Sequence, residues 1–167
     1  MLLNTEFKTQ SNYRIQESYH KIASCMQLLS EAEIWFSPNA QLNSVGNLVQ
    51  HLCGNITQYI LSTLGKQADH RNRDAEFAII GTKTKQALLQ DLQEVIDKSI
   101  GIIDTLSLSE DALKEQYQVQ VYQLSGIGIV LHVTEHLSYH TGQIAMLTKL
   151  ITQKDLGFYA GLDLNKK

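Results

Sequence analysis

The sequence predicts an all-α protein, in which residues 1–167 form a single domain, a four-helix bundle with long connections. Four segments of roughly 20 to 29 residues repeat apolar side chains at three- and four-residue steps, the period of an amphipathic helix. Pro38 is the only proline, so it interrupts none of these segments. Hydrophobic residues make up 43% of the chain and the net charge is -3, a composition typical of globular domains rather than disordered chains.

The first predicted helix covers residues 5 to 33. Its apolar positions recur mostly three or four residues apart and are Phe7, Ile15, Tyr19, Ile22, Met26 and Leu29. A turn is predicted over Trp35–Gln41, because Pro38 and Asn39 favour turns.

The second predicted helix begins after Asn43 or Ser44, since either side chain can cap a helix N-terminus, and it ends near Leu64. Its apolar stripe consists of Val45, Leu48, Leu52, Ile56, Tyr59, Ile60 and Leu64. Gly65 is predicted to end the helix in the left-handed conformation.

Residues Lys66–Gly81 are rich in charge and have no regular period, which predicts a long polar loop. Loops of this length in compact domains are often functional. A third helix is predicted from a cap at Thr82 to about Leu106.

The connection Ser107–Gln123 contains an alternating segment, Tyr117–Gln123, that could be extended, although no partner strand is obvious. Ser125 and Gly126 then open a fourth predicted helix, which runs to about Gln153 and is followed by a tail.

The composition disfavours several classes of function. Apolar stretches such as Ile127–Val133 are far shorter than the roughly 20 residues of a membrane span. The N-terminus has no secretion signal pattern, so we expect a cytoplasmic protein. An isoelectric point near 6.0, without a run of Lys or Arg, disfavours nucleic acid as a partner. The two cysteines, Cys25 and Cys53, are expected to be reduced and buried.

Three of the six histidines, His132, His136 and His140, share the fourth predicted helix at four-residue spacing. Neighbours in such a series lie on one helix face, about 6 Å apart along the axis. Two imidazoles one turn apart can bind one metal ion, whereas the outer two are about 12 Å apart along the axis. A single ion would therefore take one adjacent pair. His51, on or beside the apolar stripe of the second helix, is the candidate third ligand.

Other interpretations of the histidines stay open. His51 could be a hydrogen-bonded core residue, and the pair on the fourth helix could lie on a solvated face. His132-Val-Thr-Glu-His136 also matches the His-x-x-Glu-His signature of zinc metalloproteases. Those enzymes need a further carboxylate ligand well downstream and a large cleft, and only 31 residues follow His136, so we do not favour a protease. His20 and His70 are predicted to be ordinary surface or loop residues.

Four segments in order along the chain resemble the DinB/YfiT (DinB-like) family. They are Asn43-Ser44, His51-Leu-Cys-Gly-Asn55, Arg71-Asn-Arg-Asp-Ala-Glu-Phe77 and His136-Leu-Ser-Tyr-His140-Thr-Gly-Gln143. The similarity spans nearly the whole chain and is greatest to the branch that carries the Arg-Asn-Arg-Asp loop. It implies a DinB/YfiT-like four-helix bundle with a divalent metal ion, commonly zinc or nickel, held by His51, His136 and His140.

The resemblance also bears on neighbouring residues. His132 occupies a position where a histidine is frequent in the family but is not normally a ligand. Many members carry an arginine directly after the last ligand, where this sequence has Thr141, so the anion contact of that arginine is in doubt here. Arg71 or Arg73 could supply positive charge instead. Alternatively, these arginines pair with the loop carboxylates of Asp74 and Glu76.

Three neutral histidines leave one position of a tetrahedral ion open, which is typical of catalytic rather than structural sites. Members of the family include thiol-dependent S-transferases and a thiol-dependent isomerase. The resemblance therefore implies a metal-dependent enzyme that acts on a small-molecule substrate with a low-molecular-weight thiol, an S-transferase being favoured over a hydrolase. The alternatives are a non-enzymatic metal-binding stress-response protein and a bundle whose histidines only bond each other. Candidates for contacting the substrate or orienting the ligands are Asn55, Arg71, Arg73, His132, Tyr139 and Gln143. The resemblance also implies a homodimer.

Overall fold

Seven helices and one two-stranded hairpin follow one another along residues 2–78 and 81–166, which the computed structural model describes. The helices are α1 (Leu2–Leu28), α2 (Glu31–Ile34), α3 (Val45–Ile56), α4 (Arg73–Ala78), α5 (Lys85–Thr105), α6 (Glu110–Lys114) and α7 (Gly126–Thr152). The strands are β1 (Tyr117–Val119) and β2 (Tyr122–Leu124), and a π-helix over Thr57–Leu64 continues α3. Residues 79 and 80 of the predicted 66–81 loop, and the two end residues of the predicted 1–167 domain, lie outside this description. Over the described ranges, no helix combines the length and the apolar character that a membrane crossing requires.

The predicted four-helix bundle is confirmed. It consists of α1, α3 with its π-helical end, α5 and α7, whose main contacts follow the cyclic order α1, α7, α3, α5. Helices α1 and α3 therefore occupy opposite corners, as do α5 and α7, so the connections 29–44 and 106–125 each run diagonally. The connection 65–84 joins two neighbouring helices, and it carries α4, which packs on α3.

The predicted apolar stripes meet in one core between the four long helices. Each fully buried Leu or Ile contributes about 1.5–3 kcal/mol relative to an exposed one. Core residues from all four helices include Ile15, Ile22, Met26, Leu52, Ile56, Leu92, Ile96, Val130, Val133, Leu137 and Ile144. Buried polar residues of α3 and α7 interrupt this core, and they include His51, Asn55 and His140.

The predicted first helix, 5 to 33, is wrong at its C-terminal end, because the chain breaks it into α1 and α2. Ser30 caps α2 in a capping box. Its hydroxyl accepts from Glu33 N at 3.3 Å, and the Glu33 carboxylate accepts from Ser30 N at 2.8 Å. These two bonds satisfy backbone donors that a continuous helix would pair differently.

The end of the second helix also differs from the prediction. Gly65 has φ of −82°, and Lys66 takes the left-handed conformation instead, with φ of 56°. Gly65 is needed for space rather than for its φ angle. A Cβ there would lie 2.5 Å from the Leu61 carbonyl oxygen and 2.6 Å from Ile102 Cδ1 on α5.

Three further details of the connections were predicted wrongly or incompletely. The polar loop contains α4, and the third long helix is capped by Thr84 rather than Thr82.

The connection before α7 contains α6 and a hairpin, so the extended segment pairs with itself: Tyr117 is opposite Leu124 and Val119 is opposite Tyr122. Its turn, Gln120-Val121, lacks the Asn or Gly that marks most hairpins, although Gln120 adopts a φ of 53°. The caps at Ser44 and Ser125 and the extent of α7 agree with the predictions.

Candidate metal centre

The N-terminus of α3 sets the position of His51. Ser44 caps the helix, and its hydroxyl accepts from Asn47 N at 3.1 Å. His51 lies about two turns further on and is 4% exposed, so its imidazole faces the interior of the bundle.

Helix α7 packs against α3 and brings His136 and His140 to the same level as His51. One nitrogen from each of these three histidines lies within 4.8 Å of the other two. His51 Nε2 and His136 Nε2 are 2.9 Å apart, and the ring centroids of His136 and His140 are 4.5 Å apart. These three residues are called the histidine cluster below. Within the described ranges, it is the group of His, Cys, Asp and Glu side chains that could hold a metal ion.

The partner of the Nδ1 atom determines the tautomer of His51. His51 Nδ1 lies 2.8 Å from Glu76 Oε2 of α4. Burial opposes ionisation of Glu76, but hydrogen bonds from His51 and Arg71 outweigh it and hold the pKa of that carboxyl below its ordinary value. An ionised carboxylate only accepts hydrogen bonds, so neutral His51 carries its proton on Nδ1 and has a lone pair on Nε2.

His140 is arranged in the same way. Its Nδ1 lies 2.7 Å from Gln143 Oε1, an amide oxygen that also only accepts. His140 therefore carries its proton on Nδ1 as well, and its Nε2 has the free lone pair.

The donor set fits a divalent cation. Burial, together with the neighbouring His140, His51 and His132 rings, lowers the pKa of His136 to about 3, so its imidazole is neutral at pH 7. The 2.9 Å between His51 Nε2 and His136 Nε2 fits a hydrogen bond donated by His136 in the metal-free protein, and a cation could replace that proton. Neutral imidazole nitrogens are ligands that zinc, nickel, copper and iron accept.

His132 stands outside the histidine cluster. Its ring stacks on Tyr59, with centroids 4.2 Å apart, and on His136, with centroids 5.5 Å apart. Its Nε2 is buried and has no hydrogen-bond partner in the described structure. The structure therefore joins His136 and His140, rather than His132 and His136, with His51.

Two of the other predicted residues border the histidine cluster. Asn55 lies one turn after His51, is 4% exposed, and its Oδ1 has no hydrogen-bond partner in the described structure. Tyr139 is 63% exposed, and its ring lies edge-on to His140, with centroids 5.1 Å apart. Thr141, which stands where many relatives carry arginine, donates to the Leu137 carbonyl at 2.7 Å.

The two loop arginines have different surroundings. Arg71 pairs with Glu76 through two hydrogen bonds, from Nε at 2.7 Å and from a terminal nitrogen at 3.0 Å, and its side chain is 3% exposed. Arg73 is exposed and lies over the ring of Phe77, 5.2 Å from its centroid. The alternative in which the loop arginines pair with loop carboxylates is therefore correct for Arg71, which pairs with Glu76.

Sequence reasoning named Glu76 only as a partner for the arginines and missed its contact with His51. Gly54 carries a local signal for this contact, because a glycine inside a helix often marks a close approach by another group. A Cβ at this position would lie 2.0 Å from Glu76 Oε1.

The two cysteines take no part in the histidine cluster. Cys25 is fully buried, whereas Cys53 is only partly buried, which corrects the prediction that both are buried. Burial raises the pKa of the Cys25 thiol, and burial together with the charge of Asp91 raises that of Cys53 to about 12. Neither thiol is an effective nucleophile at neutral pH.

Most of the chain matches the model of a known protein family. Residues 3–160 match the model of a family described as a protein of unknown function, DUF1572. No curated protein matches the sequence.

Solved structures of DinB-like proteins superpose on the chain. A DinB-like protein of Bacillus subtilis, YjoA, has a TM-score of 0.64 at 15% identity, covering 87% of this chain and 94% of that one. A DinB-like protein of Bacillus cereus has a TM-score of 0.62 at 11% identity, covering 81% and 87%. A conserved protein of Enterococcus faecalis has a TM-score of 0.70 at 14% identity, covering 87% and 97%. At these identities the likeness establishes a shared fold.

Proposed function

Because the chain belongs to the DUF1572 family, a DinB-like family, we propose that it binds a divalent metal ion through His51, His136 and His140 and acts as a metal-dependent enzyme. The observation that carries this proposal is the convergence of three imidazole nitrogens within 4.8 Å of one another. Zinc and nickel are the ions that we expect, because the resemblance to DinB-like proteins implies them and both accept neutral imidazole ligands.

The number of ligands favours catalysis over a structural role. Structural zinc sites use four protein ligands, whereas catalytic sites use three and leave a position for water or substrate. A divalent ion bound here would lower the pKa of a thiol or a water molecule and so supply a nucleophile near neutral pH.

A thiol S-transferase is the activity that we favour. The pKa values of both cysteine thiols are raised, so neither cysteine is suited to attack as a thiolate, and a small molecule would supply the attacking sulfur. In such a transfer, the sulfur of a low-molecular-weight thiol attacks an electrophilic carbon and forms a C–S bond. The leaving group departs with the electron pair of the broken bond, and the thiol proton is released to solvent.

The residues of this chain would contribute binding and orientation. Glu76 and Gln143 hold the His51 and His140 rings through their Nδ1 atoms. The unpartnered Asn55 Oδ1 can accept a hydrogen bond from a donor on the substrate. The exposed Tyr139 ring can contact an apolar part of the substrate beside His140.

A turnover screen tests the enzymatic half of the proposal. Protein loaded with zinc or nickel is incubated with electrophilic substrates and with cysteine, glutathione or coenzyme A. Chelated protein is one control. A loaded His132→Phe variant, which keeps all three residues of the histidine cluster, is the other. We expect loss of free thiol and formation of a thioether only with loaded protein. A screen without metal-dependent turnover for any pair, on protein that does bind metal, would contradict the transferase and favour a non-enzymatic metal-binding protein.

A further inference from the structure

We propose that the segment Arg71–Phe77 is a positioning element for the metal centre, in which Glu76 fixes His51 as the Nδ1–H tautomer and Arg71 holds the Glu76 carboxylate. The inference rests on the proposed metal site. It assigns a role to the Arg-Asn-Arg-Asp-Ala-Glu-Phe motif, whose function the sequence leaves open.

The contact between Glu76 and His51 determines which nitrogen can bind a cation. Two groups lie near His51 Nδ1, Glu76 Oε2 at 2.8 Å and a terminal nitrogen of Arg71 at 3.3 Å. The carboxylate oxygen is the closer one, and it accepts the Nδ1 proton in a hydrogen bond. The other nitrogen, Nε2, is then unprotonated, and it is the one that faces His136 at 2.9 Å. A carboxylate on Nδ1 also raises the basicity of Nε2 and fixes the orientation of the ring, as it does for histidine ligands in general.

Arg71 prevents the Glu76 carboxylate from turning away from His51. Its guanidinium bonds both carboxylate oxygens, at 2.7 and 3.0 Å, and this two-point contact fixes the plane of the carboxylate. A third nitrogen of Arg71 donates to Gln58 Oε1 at 2.9 Å, on the π-helical end of α3. Gln58 in turn accepts from Gln120 of the hairpin at 2.9 Å and donates to Asp69 at 2.8 Å.

Other contacts anchor α4 beside the histidine cluster. Asn47 donates its side-chain amide to the Glu76 carbonyl oxygen at 3.0 Å. The Phe77 ring packs on the His51 ring, with centroids 5.0 Å apart. Asp74, the other carboxylate of α4, is exposed. The same short helix therefore presents one carboxylate to His51 and another to solvent, which provides a matched control.

The experiment compares wild type, Glu76→Gln and Asp74→Asn in two measurements. Long-range ¹H–¹⁵N NMR spectra of the metal-free proteins give the tautomer of His51, whose signals are assigned by their loss in His51→Ala. Competition with a chromophoric chelator gives the affinity for Zn²⁺. We expect the Nδ1–H tautomer in wild type and in Asp74→Asn, with equal zinc affinity. We expect Glu76→Gln, which removes the negative charge beside His51 Nδ1, to bind zinc about 10- to 100-fold more weakly.

An Nε2–H tautomer in wild type would overturn the inference, and this holds even if Glu76→Gln does not fold. Equal zinc affinities of Glu76→Gln and Asp74→Asn would overturn it as well. If wild type itself binds neither zinc nor nickel, the proposed metal site is wrong, and the tautomer of His51 in the metal-free proteins still decides the role of Glu76.

Discussion

Gly54 and Glu76 are in such close contact that a Cβ atom at position 54 would lie 2.0 Å from Glu76 Oε1. The same Cβ would lie 3.1 Å from Arg71 Nε. Gly54 follows His51 by three residues, so helix α3 presents the histidine and the space for its carboxylate partner almost side by side. A glycine inside a helix costs roughly 0.5–1 kcal/mol relative to alanine. In α3, the absence of a side chain at Gly54 leaves the space that the Arg71–Glu76 pair occupies.

The first prediction concerns this contact. Gly54→Ala should displace the Glu76 carboxylate from His51 and weaken zinc binding by about 10-fold or more, because the ligand loses the partner that orients it. Zinc affinity is measured by competition with a chromophoric chelator. Gly101→Ala on α5 is the matched control, since a Cβ there meets no atom within 4 Å. Equal zinc affinity of the two variants would show that the close contact does not matter for the site.

The second prediction separates His132 from the ligands. His132→Phe should keep the metal, because His132 lies outside the histidine cluster and a phenyl ring can still stack on Tyr59. His136→Phe makes the same change one turn further along α7 and should abolish metal binding. Metal content by elemental mass spectrometry checks both variants. If His132→Phe were purified without metal while His136→Phe retained it, the ligand assignment on α7 would be wrong.

The third prediction concerns the cap that begins α3. Ser44→Ala should lower the free energy of unfolding by about 1 kcal/mol, because the Asn47 backbone N–H loses its acceptor in a buried position. Ser109→Ala removes the same type of cap from the five-residue helix α6, which has no buried residue, and should cost less. Urea unfolding followed by circular dichroism measures both values. A loss at Ser109 equal to or greater than that at Ser44 would contradict this account of the α3 terminus.

The fourth prediction concerns the pH dependence of thiol reactivity. Burial and the nearby Asp91 raise the pKa of Cys53 to about 12, so only about 0.01% of this thiol is ionised at pH 8, against about a quarter of a free cysteine. Alkylation of Cys53 by iodoacetamide should therefore be about 50- to 100-fold slower than that of free cysteine at pH 8, because the greater nucleophilicity of a thiolate of higher pKa offsets part of the difference in ionised fraction. The rate should rise about 10-fold per pH unit up to pH 11. Mass spectrometry of the native protein gives the rate, urea-unfolded protein is the control, and a fast native reaction at pH 8 would contradict the raised pKa.

The long helices could be predicted because their signals are local. Apolar periodicity in α7, the capping side chains at Ser44 and Ser125, and the absence of proline after Pro38 each act within a few residues. The break at Ser30 is also local, but its capping box competes with an apolar period that continues past it, and the sequence does not show which one prevails.

The histidine cluster could be predicted only in part. Four-residue spacing predicts a pair on α7 but not which pair, and the resemblance to DinB-like proteins favoured His136 and His140. The structure supports that choice, because it turns His132 toward Tyr59. The contact between Glu76 and His51 joins residues 25 apart through the packing of α4 on α3. Gly54 inside α3 marks a close approach but does not identify the approaching residue, so the sequence alone did not reveal this partner.

The most direct test of the metal centre is the metal content of gently purified wild type beside His51→Ala and His70→Ala, measured by elemental mass spectrometry. His70 is an exposed loop histidine and serves as the matched control. We predict close to one zinc or nickel ion per chain in wild type and in His70→Ala, and loss of that ion in His51→Ala. Absence of metal from wild type, even after incubation with each divalent ion in turn, or equal metal content in all three proteins, would contradict a metal site built on His51, His136 and His140.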